Sequence, residues 1–206
     1  MGDGVVTLAI LAVTVLVSWQ GFGNRRLLER LLLWPPAVER QHQYDRLVTH
    51  GFVHADWQHL LFNMITLFFF GREIERVMAG VTGTWLTYPL FYLAALAVSI
   101  LPSYLKHRHD ANYVSLGASG AVTAVLFAFI LLSPWTLIFV FFIPVPAIVY
   151  AVFYVGYSIW MDRRGGDNVN HSAHLSGAAF GVLFMVMMAP EVLGFFWQQL
   201  LSPSWR

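Results

Sequence analysis

Two residues in this sequence have the types and setting for nucleophilic chemistry, Ser119 and His174. Ser119 lies in Gly117-Ala118-Ser119-Gly120, where a polar turn beginning at Ser115 runs into an apolar stretch that continues to Leu132. Glycines two residues before and one after it let other backbone come close. Gly120, Ala124 and Ala128 repeat at four-residue spacing, a row of small residues that lets two helices meet inside a bilayer. Such a row and a bare Gly-x-Ser-Gly are also what simple helix packing would produce. Downstream, Ala173-His174 opens a second apolar stretch, and His174 shares a helix face with Gly177 and Gly181. A serine hydroxyl is a weak nucleophile until a base within hydrogen-bond reach takes its proton, and neutral imidazole has a suitable basicity.

The elements that must carry these residues are apolar. The chain has 206 residues, 58% apolar and only 11% charged, whereas a soluble domain carries about 25% charged residues. A net charge of +1 suggests neither nucleic acid nor an acidic partner. Without cysteine there are no disulfides and no thiolate metal sites. The Met1 end lacks a basic stretch and a small-residue cleavage site, so the first apolar run reads as a retained span.

Six runs are near the ~20 apolar residues that a crossing needs: roughly 4–19, 57–71, 85–101, 116–132, 135–160 and 173–197. Pro144 and Pro146 predict a bent or irregular start to the fifth. Seven of the eight tryptophans, all but Trp34, fall at or near run ends, where an aromatic belt would hold them. No repeat or linker divides the chain, which predicts one domain over 1–206, an all-α membrane bundle. The first loop is long, and its Arg25-Arg26-Leu27-Leu28-Glu29-Arg30-Leu31-Leu32-Leu33-Trp34 segment is amphipathic. It suits a helix lying in the membrane interface, or one packed on the domain.

Polar residues at membrane depth are costly and are therefore functional suspects. They are His59, Asn63, Ser119, Thr123, His174 and Ser176. Thr123 and Ser176 are expected to bond back to their own helices. His59 and Asn63, four apart, project from one face and could donate to a developing oxyanion. Apart from Glu191 near the end of the sixth, no Asp, Glu, Lys or Arg falls inside the runs. Serine machinery here would therefore be a dyad, with no carboxylate to orient the histidine.

Gly117-Ala118-Ser119-Gly120, Ala173-His174 with Gly177 and Gly181, and His54-Ala55-Asp56-Trp57-Gln58-His59-Leu60-Leu61-Phe62-Asn63 together resemble the rhomboid intramembrane serine proteases. The resemblance covers nearly the whole chain and implies a six-helix core. It makes Ser119 the nucleophile, His174 the general base, and His59, Asn63 and the Ser119 N–H the oxyanion hole. It also implies a substrate gate near Phe62 and Tyr154, no cofactor or metal, and transmembrane protein substrates met within the lipid bilayer. The setting it implies is a multi-pass protein of a bacterial-type cell membrane. Arg46 occupies the family's basic position in the first loop. Two positions depart from the pattern. Asp45 stands where tryptophan is usual, and Thr123 where several members carry a tyrosine packed on the catalytic histidine. With no such ring on Thr123, Asn168, Asn170 or His171 is expected to orient His174.

Sidedness is contested within the sequence. The first, third and fifth loops hold nine basic residues, and the opposite side holds Arg72, Arg76 and Arg206. Positive-inside counting puts the odd loops in the cytoplasm, whereas the family usually opens its active site to the outside. Five of the nine sit in the first loop, which the family partly buries, so the resemblance carries more weight. Two other functions compete with proteolysis. One is an inactive relative that binds or escorts membrane clients, and such proteins typically lack Ser or His of the dyad. The other is a metal or haem protein using His50, His54, His59, His171 and His174, for which no His-Glu-x-x-His pattern supplies a metalloprotease base.

Overall fold

The computed structural model describes residues 4–140 and 142–203; Trp205 and Arg206, counted above, lie outside them. The bundle is built around α8 (Ser119–Leu132), a helix apolar on every side and buried from Gly120 to Ala128. A helix of that pattern belongs in the middle of a bundle. Against it lies α10 (His171–Met188). A Cβ on Gly177 would collide with the backbone of Gly120, and one on Gly181 with the backbone of Ala124. Both partners advance by four residues, so the two helices run parallel and their N-terminal ends meet. The small-residue row read from the sequence is this contact.

The remaining helices surround that pair. Helix α7 (Thr87–His107) presses Ser99 onto Gly120 and buries Tyr88, Phe91 and Tyr92. Helix α1 (Val5–Gly23) turns Thr7, Thr14, Ser18 and Gly21 inward and leaves Leu8 and Leu16 exposed. An apolar face turned outward and small polar residues turned inward suit a lipid surround. Among the described residues, α1, α7 and α10 are long and apolar enough to cross a membrane.

Several runs differ from their sequence boundaries. The second is part of a continuous helical rod, α5 (Trp57–Thr66), a π-turn over Leu67–Gly71, and α6 (Arg72–Thr82). The longer rod brings in a buried acid. Glu75 accepts from the Val6 N–H at 3.0 Å, the Thr7 N–H at 2.8 Å and the Thr7 hydroxyl at 2.7 Å, fixing the start of α1. It lies roughly 24 Å along the rod from His59 at 1.5 Å per residue, too far to serve the histidine.

The fifth run begins as a hairpin, β1 (Leu137–Val140) and β2 (Ile143–Pro146), before α9 (Ala147–Arg164). Pro144 and Pro146 alternate along β2, so their missing N–H groups fall on one edge. The sixth run breaks at Ala189-Pro190, beyond which α11 (Val192–Leu201) is a separate helix. Exposed Trp19, Trp57, Trp85 and Trp160 lie at or within about a turn of helix ends, whereas Trp197, at the end of the sixth apolar run, falls in the middle of α11. Trp34 instead donates its indole N–H to the Ala111 carbonyl.

The first loop is more ordered than its sequence suggested. It holds α2 (Arg25–Leu31), α3 (Pro35–Gln41) and α4 (Arg46–Thr49). The amphipathic segment is helical only to Leu31, and α2 packs beside α1. Arg46 is buried and donates to the carbonyls of Glu29 and Leu32 and to the Gln43 side chain. Arg30 pairs with Asp45 at 2.7 Å, which gives the unusual aspartate a partner. These arginines hold the loop together rather than marking a membrane face, which weakens the charge count as a guide to sidedness.

Candidate active site

Ser119 is the first residue of α8, so its backbone N–H has no acceptor within the helix. The chain just before it is fixed by the first loop at three points. Leu33 and Ser115 exchange two backbone hydrogen bonds of 2.9 and 3.0 Å. The Gly117 N–H donates to the His50 carbonyl at 2.9 Å. The Ala118 N–H donates to His54 Nε2 at 3.3 Å. Gly117 has φ +113°, and a Cβ there would stand 2.5 Å from the His59 ring. Only glycine meets both conditions.

His54 shows how its protons must be arranged. Because Nε2 accepts from Ala118, the ring proton is on Nδ1, which donates to Ser18 Oγ at 2.9 Å. The Ser18 hydroxyl in turn donates to the Phe52 carbonyl at 3.0 Å. Burial, helped by the neighbouring His59, pushes the His54 imidazole down to about 3, in keeping with a neutral ring. His50 is pushed down to about 4, again chiefly by burial, and its Nδ1–H donates to the Arg46 carbonyl. These histidines are each engaged separately. Among the described residues, no three His, Asp or Glu converge as a metal site would require.

His174 Nε2 lies 2.8 Å from Ser119 Oγ, across the seam where α8 and α10 meet. Asn170 caps α10, its side chain accepting from the Ala173 N–H at 3.0 Å and from the Ser103 hydroxyl at 2.7 Å. The same amide donates to Tyr113 at 3.0 Å and Ser115 at 3.3 Å. It therefore ties α7, the loop before Ser119 and α10 together, and does not reach the imidazole. His171 is bonded to Asp167 at 3.0 Å and meets His174 edge-on, with ring centroids 6.1 Å apart. Among the described residues no side chain hydrogen-bonds His174 Nδ1.

His59 and Asn63 line the same cavity of about 1040 Å³ as Ser119 and His174, as do Phe62 and Tyr154. Asn63 uses one amide hydrogen on the His59 carbonyl at 2.9 Å, which leaves the other available. Phe62 is 44% exposed, whereas Tyr154 is turned inward. Thr123 and Ser176 do not bond back to their own helices as expected. The Thr123 hydroxyl lies 3.1 Å from Tyr154 Oη on α9, and Ser176 donates to the Val98 carbonyl of α7 at 3.2 Å.

A bundle of apolar helices with a hydroxyl–imidazole pair where two parallel helices begin defines a class, helical membrane proteins with a polar site in their core. This chain belongs to the rhomboid family, the Rhomboid domain matching residues 41–191. It is 32% identical over 192 residues to RHOMBOID-like protein 12, mitochondrial, of Arabidopsis thaliana, covering 88% of this chain and 57% of that one. It is 28% identical over 188 residues to Rhomboid protease GlpG of Haemophilus influenzae, covering 88% of this chain and 90% of that one. Rhomboid protein 1, mitochondrial, of Saccharomyces cerevisiae is 28% identical over 186 residues, covering 85% and 51%. The chain thus spans about half the length of the mitochondrial relatives and nine-tenths of the bacterial one.

Proposed function

We propose that this protein is an intramembrane serine protease that cuts single-span membrane proteins near the membrane surface. In this reading residues 1–206 are one domain whose six apolar segments cross a bacterial-type cell membrane. The observation that carries it is the 2.8 Å contact between Ser119 Oγ and His174 Nε2. Helix α8 has 14 residues, about 21 Å at 1.5 Å per residue, against a hydrocarbon core of about 30 Å. Its N-terminus, with Ser119, then lies below the membrane surface, and the cavity gives water a way in.

The chemistry follows from the donors. His174 Nε2 takes the Ser119 proton as Oγ attacks the scissile carbonyl carbon. The oxygen that gains charge faces the Ser119 N–H, the His59 ring and the remaining Asn63 N–H. His174 returns the proton to the leaving amine nitrogen, leaving an acyl ester on Ser119. Water then attacks that ester, His174 again taking and returning a proton, and the acid product departs. Substrate reaches the dyad between α5 and α9, beside Phe62 and Tyr154.

The test is labelling with a fluorophosphonate, which marks only activated serines, alongside cleavage of a transmembrane substrate in liposomes. Wild type should label and cut, and Ser119→Ala and His174→Ala should do neither while melting normally. His59→Ala or Asn63→Ala should lower turnover by about 10²–10³-fold with little change in KM, since one oxyanion donor is lost. Substantial cleavage by Ser119→Ala would sink the reading. Binding of substrate without labelling or cleavage would favour the client-binding alternative.

A further inference from the structure

We propose that Tyr154 of α9 is the positioning residue for His174, holding the imidazole against Ser119 through its ring and being itself held by Thr123. The inference rests on the serine-protease reading and adds to it the group that orients the base.

The geometry starts from what His174 lacks. Its Nε2 faces Ser119, and Asn170 is bonded elsewhere. His171 bonds Asp167 through Nε2, meets the imidazole edge-on and makes no hydrogen bond to it, its own Nδ1 being buried without a partner among the described residues. A small ring with one hydrogen bond is free to rotate about that bond unless something covers its face. Tyr154 covers it. The two ring centroids are 6.0 Å apart and the planes 23° from parallel, within the range of offset stacking. One turn earlier on α9, Tyr150 stacks on Tyr154 at 5.4 Å and 29°. Phe127 of α8 packs against the Tyr154 ring at 5.8 Å. The row Tyr150, Tyr154, His174 thus runs from α9 onto α10.

The far end of the ring is fixed as well. Tyr154 Oη lies 3.1 Å from Thr123 Oγ1, one helical turn after the nucleophile on the same face of α8. A tyrosine anchored at both ends costs little further conformational freedom, so its face is a firm support for the imidazole. The threonine that cannot stack on His174 acts through a ring that can. The support also comes from a different helix than the nucleophile, so movement of α9 away from α8 would loosen the base.

This role and a gate role predict opposite signs. A bulky side chain that only obstructs access between α5 and α9 should, when removed, speed the reaction of Ser119. A residue that aligns the base should slow it. Saturation kinetics with a fluorophosphonate probe on the full chain in detergent separate the two. Tyr154→Ala is expected to lower the maximal inactivation rate by about tenfold, the size of one aromatic contact, with the half-saturating probe concentration little changed. Tyr154→Phe keeps the ring and should recover most of that loss. Thr123→Val keeps the volume but removes the tether, and should slow labelling by about threefold, the worth of one neutral hydrogen bond. It also serves if Tyr154→Ala fails to show a normal melting transition. In the Tyr154→Ala background, Thr123→Tyr supplies a ring from α8 and should restore the rate. Tyr154→Ala or Thr123→Val labelling as fast as wild type, or faster, overturns the proposal while leaving the protease reading intact. Wild type that does not label at all overturns the protease reading first.

Discussion

The contact of α8 with α10 sets the distance between Ser119 and His174, the proposed nucleophile and base, and replacing Gly177 by alanine perturbs that contact directly. Gly177 follows His174 by three residues on the same helix. The alanine Cβ would lie 2.9 Å from the Gly120 carbonyl carbon and 3.3 Å from its Cα, and closer still to the carbonyl oxygen. Ordinary contacts of this kind are ~3.5 Å or more, so α10 must retreat by about 1 Å. The cost of such overpacking is typically ~1–3 kcal/mol, offset in part by the roughly 1 kcal/mol that alanine gains over glycine in a helix. Function should suffer more than stability. A retreat of about 1 Å stretches the 2.8 Å Nε2···Oγ contact beyond hydrogen-bonding range. Misplacement of that size costs on the order of 10²-fold in rate. The assay is the fluorophosphonate labelling rate measured beside the melting temperature. Gly156→Ala on α9 is the control, because a Cβ there meets nothing within 4 Å. It should label normally and melt no lower than wild type. If Gly177→Ala labels at the wild-type rate, the seam does not set the dyad distance and the reasoning fails.

Two further outcomes concern stability. Glu75→Ala removes the acceptor of three hydrogen bonds at the start of α1, and at a net worth of about 1 kcal/mol each their loss should destabilise by roughly 3 kcal/mol. Melting should fall by several degrees, and an unchanged melting temperature would show that α1 is fixed by packing alone. The second is acid sensitivity. His54 and His50 are held down to about 3 and about 4 when folded, against roughly 6.5 unfolded. Between those values the unfolded chain binds protons that the folded chain refuses, so stability is full above pH ~6.5 and is lost as pH falls. At pH ~5 the loss is of the order of 2 kcal/mol for each ring. Chemical denaturation at pH 7.5 and 5 measures it, His54→Gln should show a smaller drop, and equal stability at the two pH values would refute it.

The apolar helices, the small-residue seam and the motifs around Ser119, His59 and His174 are legible in the chain before any docking is known. These signals are local or periodic, because a row of small residues or an uncharged run states its own packing requirement. The sequence also marks Pro144 and Pro146 as an irregular stretch, since proline restricts backbone wherever it stands. It does not say that the stretch is a hairpin, because pairing joins two segments. Glu75 lies beyond the apolar run that ends at Gly71, and only the partner helix α1 explains why a carboxylate is tolerated there. The same holds for the Ser18–His54–Ala118 relay, whose members come from three separate parts of the chain. Thr123 reads in the sequence as bonding back within α8, and no feature near it points to Tyr154, 31 residues on. Motifs single out the candidate reacting groups, because their spacing is short. Which neighbours hold those groups still is decided by helix docking, since orientation depends on contacts between residues far apart in sequence.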